Sequence, residues 1–177
     1  MPMDTQSIDT NKVAHCTFEL TGQPMSQLKC SNNESYEAFS GKTDFVNNPD
    51  EVGNAKNGPL PPGRYYILDR EHGGMLGWIR DPIHDLFART DRDDWFSLYR
   101  DDGSIDDSTI VNNVTRGSFR LHPAGPMRVS EGCVTLTSKL GFEQVSIFLR
   151  NMTGDLIPGT TKKYYGVLDV IDPRNAR

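Results

Sequence analysis

The stretch Phe119-Arg120-Leu121-His122-Pro123-Ala124-Gly125-Pro126-Met127-Arg128-Val129-Ser130-Glu131-Gly132-Cys133-Val134-Thr135-Leu136 decides how this chain is read. Ser118 to His122 alternates polar and apolar side chains with the period of a half-buried strand, so His122 falls at a strand's C-terminal end. A loop rich in Pro and Gly follows. Ser130-Glu131-Gly132-Cys133 then forms a turn that sets Cys133 at the head of a short strand over Val134-Thr135-Leu136. Ten residues separate His122 from Cys133, enough to double back and bring an imidazole to a thiol. An imidazole that takes the thiol proton turns the sulfur into a strong nucleophile. Gly132 permits a tight turn and leaves the sulfur uncrowded. Backbone N–H groups at Gly132 and Cys133 are suited to bind an oxyanion, and Ser130 to brace the turn or orient the histidine. Taken singly, a cysteine is most often a small buried hydrophobe. It is the grouping that points to chemistry.

Working outward, most of the chain carries strand signals. Thr17-Phe18-Glu19-Leu20 and Ser26-Gln27-Leu28-Lys29 flank a turn at Thr21-Gly22-Gln23-Pro24-Met25. Folded symmetrically about Gln23, this hairpin sets Cys16 opposite Cys30 and Phe18 opposite Leu28. Cross-strand cysteines lie close enough for a disulfide in a non-hydrogen-bonded pair. Two reduced, half-buried cysteines are the alternative. Tyr36 to Gly41 reads as a strand, residues 42–63 as a long loop rich in Asn, Gly and Pro, and Arg64 to Leu68 as a strand. Further short strands are expected around Trp78-Ile79-Arg80, over Trp95 to Tyr99, and over Tyr164 to Ile171. The helix candidate is Lys139 to Asn151, with Leu140, Val145, Phe148 and Leu149 on one face and Gly154 and Pro158 beyond its end. The expected fold is mainly β, sandwich- or barrel-like, with one or two short helices. A loose polar arm spans residues 1–14 and a single domain residues 15–177.

Composition narrows the function. The 177 residues carry a formal net charge of -5 and no basic stripe, which argues against a nucleic-acid partner. No apolar stretch approaches the roughly 20 residues that span a bilayer, so no stable membrane insertion is expected. The polar start lacks the apolar core of a secretory signal, so the protein is expected to be made in the cytoplasm. His15, His72 and His84 show no metal-ligand spacing with the cysteines, so neither metal nor cofactor is expected. The acidic run Asp101 to Asp107 lacks the EF-hand order and reads as solvated loop. Arg120 and Arg128 flank the His–Cys loop and are candidates to attract carboxylates. Tyr65 and Trp78 are candidates to line a groove, against the commoner role of aromatics in the core.

The spacing His122…Ser130-x-Gly132-Cys133 resembles the signature of L,D-transpeptidases of the YkuD type. It is closer still to the L,D-transpeptidase-like effectors delivered by bacterial type VI secretion systems. Asn57-Gly58-Pro59-Leu60-Pro61-Pro62-Gly63-Arg64-Tyr65-Tyr66-Ile67, the opening hairpin, Phe39-Ser40-Gly41 and Asn47-Asn48-Pro49 resemble further segments of that second family, so the likeness runs over about residues 16–172. The resemblance implies Cys133 as nucleophile, His122 as general base, and Ser130 and Gly132 as shapers of the turn. It implies attack on the tetrapeptide stems of peptidoglycan, by L,D-carboxypeptidase action or by exchange of the terminal D-alanine for another D-amino acid. It also implies a secretion apparatus for delivery, action in the periplasm of a target bacterium, and a cognate immunity protein. Two positions depart from the YkuD pattern: Glu131 stands where a histidine precedes the glycine, and Thr135 where a basic residue often follows the cysteine. Stem trimming or exchange is therefore expected rather than cross-linking. The competing readings are a non-catalytic wall-binding module and a cysteine peptidase or amidase acting on other peptides.

Overall fold

A computed structural model of the chain describes residues 8–70, 94–125 and 130–175. Eight strands close into a barrel: β1 (Ala14–Glu19), β2 (Ser26–Cys30), β3 (Ser35–Phe39), β4 (Gly63–Asp69), β5 (Phe96–Arg100), β8 (Arg120–Pro123), β9 (Val134–Leu136) and β12 (Gly166–Ile171). Around the barrel they run β1-β12-β4-β5-β8-β9-β3-β2, and β2 closes back onto β1. Four short strands stand outside it: the hairpin β6 (Ser108–Val111) and β7 (Val114–Gly117), and the pair β10 (Asp155–Leu156) and β11 (Lys163–Tyr164). The α-helix among the described residues is α1 (Lys139–Arg150).

The core lies inside the barrel. Phe18, Leu20, Leu28, Ile67, Phe96, Leu98, Leu121 and Leu136 are among its buried side chains. Alternation drives this placement: β2 buries Ser26, Leu28 and Cys30 and exposes Gln27 and Lys29 between them. Closure also leaves the barrel no open sheet edge, which the isolated hairpins would present. The first hairpin pairs as its sequence symmetry requires, Cys16 with Cys30 and Phe18 with Leu28. Cys16 and Cys30 are joined by a disulfide across a Cα separation of 4.1 Å. No helix among the described residues is long and apolar enough to cross a membrane.

Several sequence expectations shift. Helix α1 starts after Ser138, whose hydroxyl accepts the Gly141 N–H at 3.1 Å. Its buried face is Gly141, Phe142, Val145 and Leu149, whereas Leu140 is 64% exposed. The glycine that weakens the helix start is where the helix meets the Tyr36 ring: a Cβ there would lie 3.4 Å from the ring edge. The strand expected from Ser118 starts at Arg120, because Ser118 adopts φ 56. The run Tyr164 to Ile171 divides at Tyr165 into β11 and β12. The acidic region expected to be loop leads into the β6–β7 hairpin, turned by Asn112 and Asn113 at φ 50 and 63. Positive φ at both turn residues matches the right-handed twist of the flanking strands. In that region two carboxylates serve the hairpin, Asp106 accepting from the Ser108 N–H and Asp102 from Thr109, while Asp107 accepts from Arg120 of β8. Val13 is buried, and Ile8 packs against the cluster that holds it, so the domain's packing begins within the segment expected to be a loose arm. The strand expected around Trp78 lies outside the described residues.

Candidate active site

The barrel contains two parallel strand pairs, and one of them, β8 with β9, positions both chemical groups, His122 on β8 and Cys133 just before β9. The connection between them is a crossover and not a hairpin, so His122 and Cys133 do not face each other at equal height. The register aligns Leu121 with Val134 and His122 with Thr135. Cys133 lies two residues before the partner of His122, a diagonal offset of about 7 Å along the strand. The imidazole is held on both nitrogens and on one face. Nδ1 lies 2.8 Å from the Pro123 carbonyl, which can only accept, so Nδ1 carries the proton. Nε2 is then the basic nitrogen, and it lies 3.3 Å from the Thr135 hydroxyl. Trp95 stacks on the ring, with centroids 4.4 Å apart and planes 21° from parallel.

The cysteine turn is built with equal care. Ser130 donates its hydroxyl to the Cys133 carbonyl at 2.7 Å, bridging the turn from inside. Gly132 adopts φ 88, and a Cβ there would come within 2.5 Å of Arg116 Nη2 and 3.0 Å of the Phe119 ring. Arg116, 4% exposed, reaches in from β7. It donates to the carbonyls of Val52 at 2.8 Å, Pro59 at 2.5 Å and Gly58 at 2.9 Å, and its guanidinium lies over the Phe119 ring. The Cys133 thiol points to the Ser118 carbonyl at 3.9 Å. Both Cys133 and His122 are 0% exposed.

The segment from Asn57 to Ile67 acquires a physical meaning from these contacts: its carbonyls are acceptors for buried donors. Besides Arg116, Tyr65 donates to Pro61 at 2.7 Å and Arg100 to Pro62 at 2.6 Å. Proline-rich backbone has few N–H groups of its own to satisfy, so its carbonyls are available. Ser40 and Asn47 form a second buried node. Ser40 accepts from the Leu60 N–H, and Asn47 accepts from the Ser40 N–H and donates to the Gln23 carbonyl.

Of the candidates from sequence, His122 lies on β8, and Ser130, Gly132 and Cys133 lie in the turn that leads into the neighbouring β9. Tyr65 is not a groove residue. It is 0% exposed, edge-on to Phe119, and burial pushes its hydroxyl far above the usual tyrosine range, so it stays protonated. Arg120 is already engaged, paired with both carboxylate oxygens of Asp107 at 2.7 and 2.6 Å. Trp78 and Arg128 lie outside the described residues. A cleft of about 360 Å³ opens beside the end of β8, lined by Asp94, Pro123, Lys139, Phe142, Glu143 and Ile147. Nothing local in the sequence sets Arg116 or the αL Ser118 apart, and Thr135, which stood out there only as a departure from the YkuD pattern, lies beside His122 Nε2. Among the described residues no group of three or more His, Cys, Asp or Glu side chains is arranged to hold a metal.

No curated protein and no solved structure matches the chain. A family model does: residues 34–160, a span that contains His122, Arg116 and the whole Ser130–Cys133 turn, match the Tlde1 domain. The chain therefore belongs to the Tlde1 family of type VI secretion effectors.

Proposed function

We propose that the protein is a cysteine acyltransferase that acts on the tetrapeptide stems of peptidoglycan and so works as an antibacterial effector. The observation that carries this reading is the parallel β8–β9 pair. It sets a histidine with its basic nitrogen turned toward β9 beside a strand headed by a cysteine on a glycine turn. In the reaction, His122 takes the thiol proton and the Cys133 sulfur attacks the carbonyl of the stem's third residue. The C–N bond to D-alanine breaks, and the same proton passes to the leaving amine. Water then hydrolyses the thioester, releasing a shortened stem, or the amine of a free D-amino acid takes the acyl group. Backbone N–H groups of the turn stabilise the oxyanion of each tetrahedral intermediate. Effector delivery by the secretion apparatus, action in the target's periplasm and a cognate immunity protein follow from the same reading. The Cys16–Cys30 disulfide suits an oxidising compartment.

Complete burial of Cys133 favours a second reading, a non-catalytic wall-binding module that has kept the fold. Under the first reading, stem access to the thiol requires an opening step. The two separate in one experiment. Wild type and Cys133→Ala are incubated with disaccharide-tetrapeptides, with and without D-methionine, and the products weighed by mass spectrometry. Loss or exchange of the terminal D-alanine by the wild type alone is the expected result. If neither protein alters a stem while both still bind wall material, the acyl-transfer reading fails and the binding module stands.

A further inference from the structure

Arg116 presents an electrostatic problem. A guanidinium 4% exposed is costly to bury unless an anion faces it. Among the described residues no carboxylate pairs with Arg116. Among those residues its guanidinium donates to the neutral carbonyls of Val52, Gly58 and Pro59, and its Nε is buried with no hydrogen-bond partner. Arg120, a half-buried arginine on the adjoining strand, differs: Asp107 neutralises it. Burial lowers the affinity of Arg116 for its proton, and the acids that oppose this are Tyr65 and Cys133. Tyr65 is itself held neutral by burial. Cys133 remains as the group whose ionised form balances the charge. The guanidinium is also in the right place, since Nη2 fills the space where a Cβ on Gly132, the residue before Cys133, would stand.

We propose that Arg116 is a positioning residue for Cys133: its buried guanidinium, clamped by the carbonyls of Val52, Gly58 and Pro59 against Gly132, fixes the turn and serves as the countercharge of a Cys133 thiolate. The inference rests on Cys133 being the nucleophile and adds that the thiolate is favoured before substrate arrives. Among the described residues, the charged and titratable groups about the turn are Arg116 from β7, Arg120 from β8 with Asp107 paired to it, His122 from β8, Tyr65 from β4, and Glu131 in the turn, which lies 3.9 Å from Lys42. Asp107 already balances Arg120 and Lys42 faces Glu131, so among these groups Arg116 is the cation left to balance a thiolate.

The test titrates the thiolate in the disulfide-intact full chain by its ultraviolet absorbance, as a difference against Cys133→Ser in each background. The backgrounds are wild type, Arg116→Lys and Arg116→Met, each checked for folding by circular dichroism. A nearby opposite charge shifts an ionisation by about 1–3 pH units. Arg116→Met is therefore expected to raise the thiolate midpoint by at least about one unit, lowering the thiolate fraction at neutral pH about tenfold. Arg116→Lys keeps the charge and is expected to restore most of the midpoint, but only part of the turnover of muropeptides, because lysine cannot span three carbonyls. An unchanged midpoint in folded Arg116→Met overturns the countercharge role. If that variant does not fold, the melting-temperature difference between wild type and Cys133→Ser is followed from pH 5 to pH 9. A thiol whose folded-state ionisation is depressed contributes stability that is present above its unfolded value of about 8.5 and is lost as pH falls through the folded value. The difference must grow with pH, and a flat difference overturns the inference. A low midpoint in a protein that leaves muropeptides untouched would refute the acyl-transfer reading and leave the Arg116 pairing standing. An unaltered midpoint in an active enzyme would do the reverse.

Discussion

Replacing Gly132 with alanine is expected to be among the costliest single-methyl additions in this protein. The backbone there sits at φ 88, which carries a strain of about 1–2 kcal/mol for any residue with a Cβ. The added carbon would also stand 2.5 Å from Arg116 Nη2 and 3.0 Å from the Phe119 ring, against ordinary contacts of 3.4 Å or more. Phe119 is 3% exposed and the guanidinium is held by three carbonyls, so neither can retreat freely. Giving up one of those charge-assisted bonds costs about 1.5–3 kcal/mol. Together the loss is about 2.5–5 kcal/mol. Urea denaturation of Gly132→Ala measures it. The internal control is Gly103→Ala, at φ 96 on an exposed loop with nothing within 4 Å of its Cβ, which carries the backbone strain without the clash. If Gly132→Ala loses no more stability than Gly103→Ala, the clamp against Arg116 is not what holds the turn, and the reasoning fails.

Three further outcomes follow from the same structure. Denatured, unreduced protein should release one free thiol, Cys133, and replacing Cys16 and Cys30 with serine should cost about 3 kcal/mol in the chain-entropy account of a 14-residue loop; a count of three thiols contradicts the pairing. Ser130→Ala removes the hydroxyl bound to the Cys133 carbonyl and leaves that buried acceptor short of a partner, so a loss of about 1–3 kcal/mol should appear in denaturant melts, with turnover falling further than stability alone explains. Asp169, where burial works against ionisation but hydrogen bonds from Arg64 and His15 prevail, is held below the usual carboxylate range. Its folded value being depressed, its contribution is present above about pH 4 and is lost as pH falls through the folded value, so the stability gap between wild type and Asp169→Asn should close on acidification; a gap constant from neutral pH to pH 2 would contradict this.

The sequence by itself determined the local pieces. The hairpin register that pairs Cys16 with Cys30, the strand Val134–Leu136, the helix from Lys139 and the need for glycine at 132 are all written in short local stretches, in side-chain alternation, turn residues and stop signals. The hairpin β6–β7 was legible in the same way, from Ile110-Val111 and Val114 flanking two asparagines, but the surrounding acidic pairs masked it. Tertiary structure alone decided the closure of the barrel, the parallel direction of β8 and β9, the stacking of Trp95 on His122 and the burial of Tyr65. It also decided the role of Arg116, whose carbonyl partners lie 57 to 64 residues away along the chain. No periodicity spans such a distance. Whether an arginine ends in water or in a cage of carbonyls depends on which strands meet, and that is settled by the total burial of the barrel and not by any neighbour in sequence.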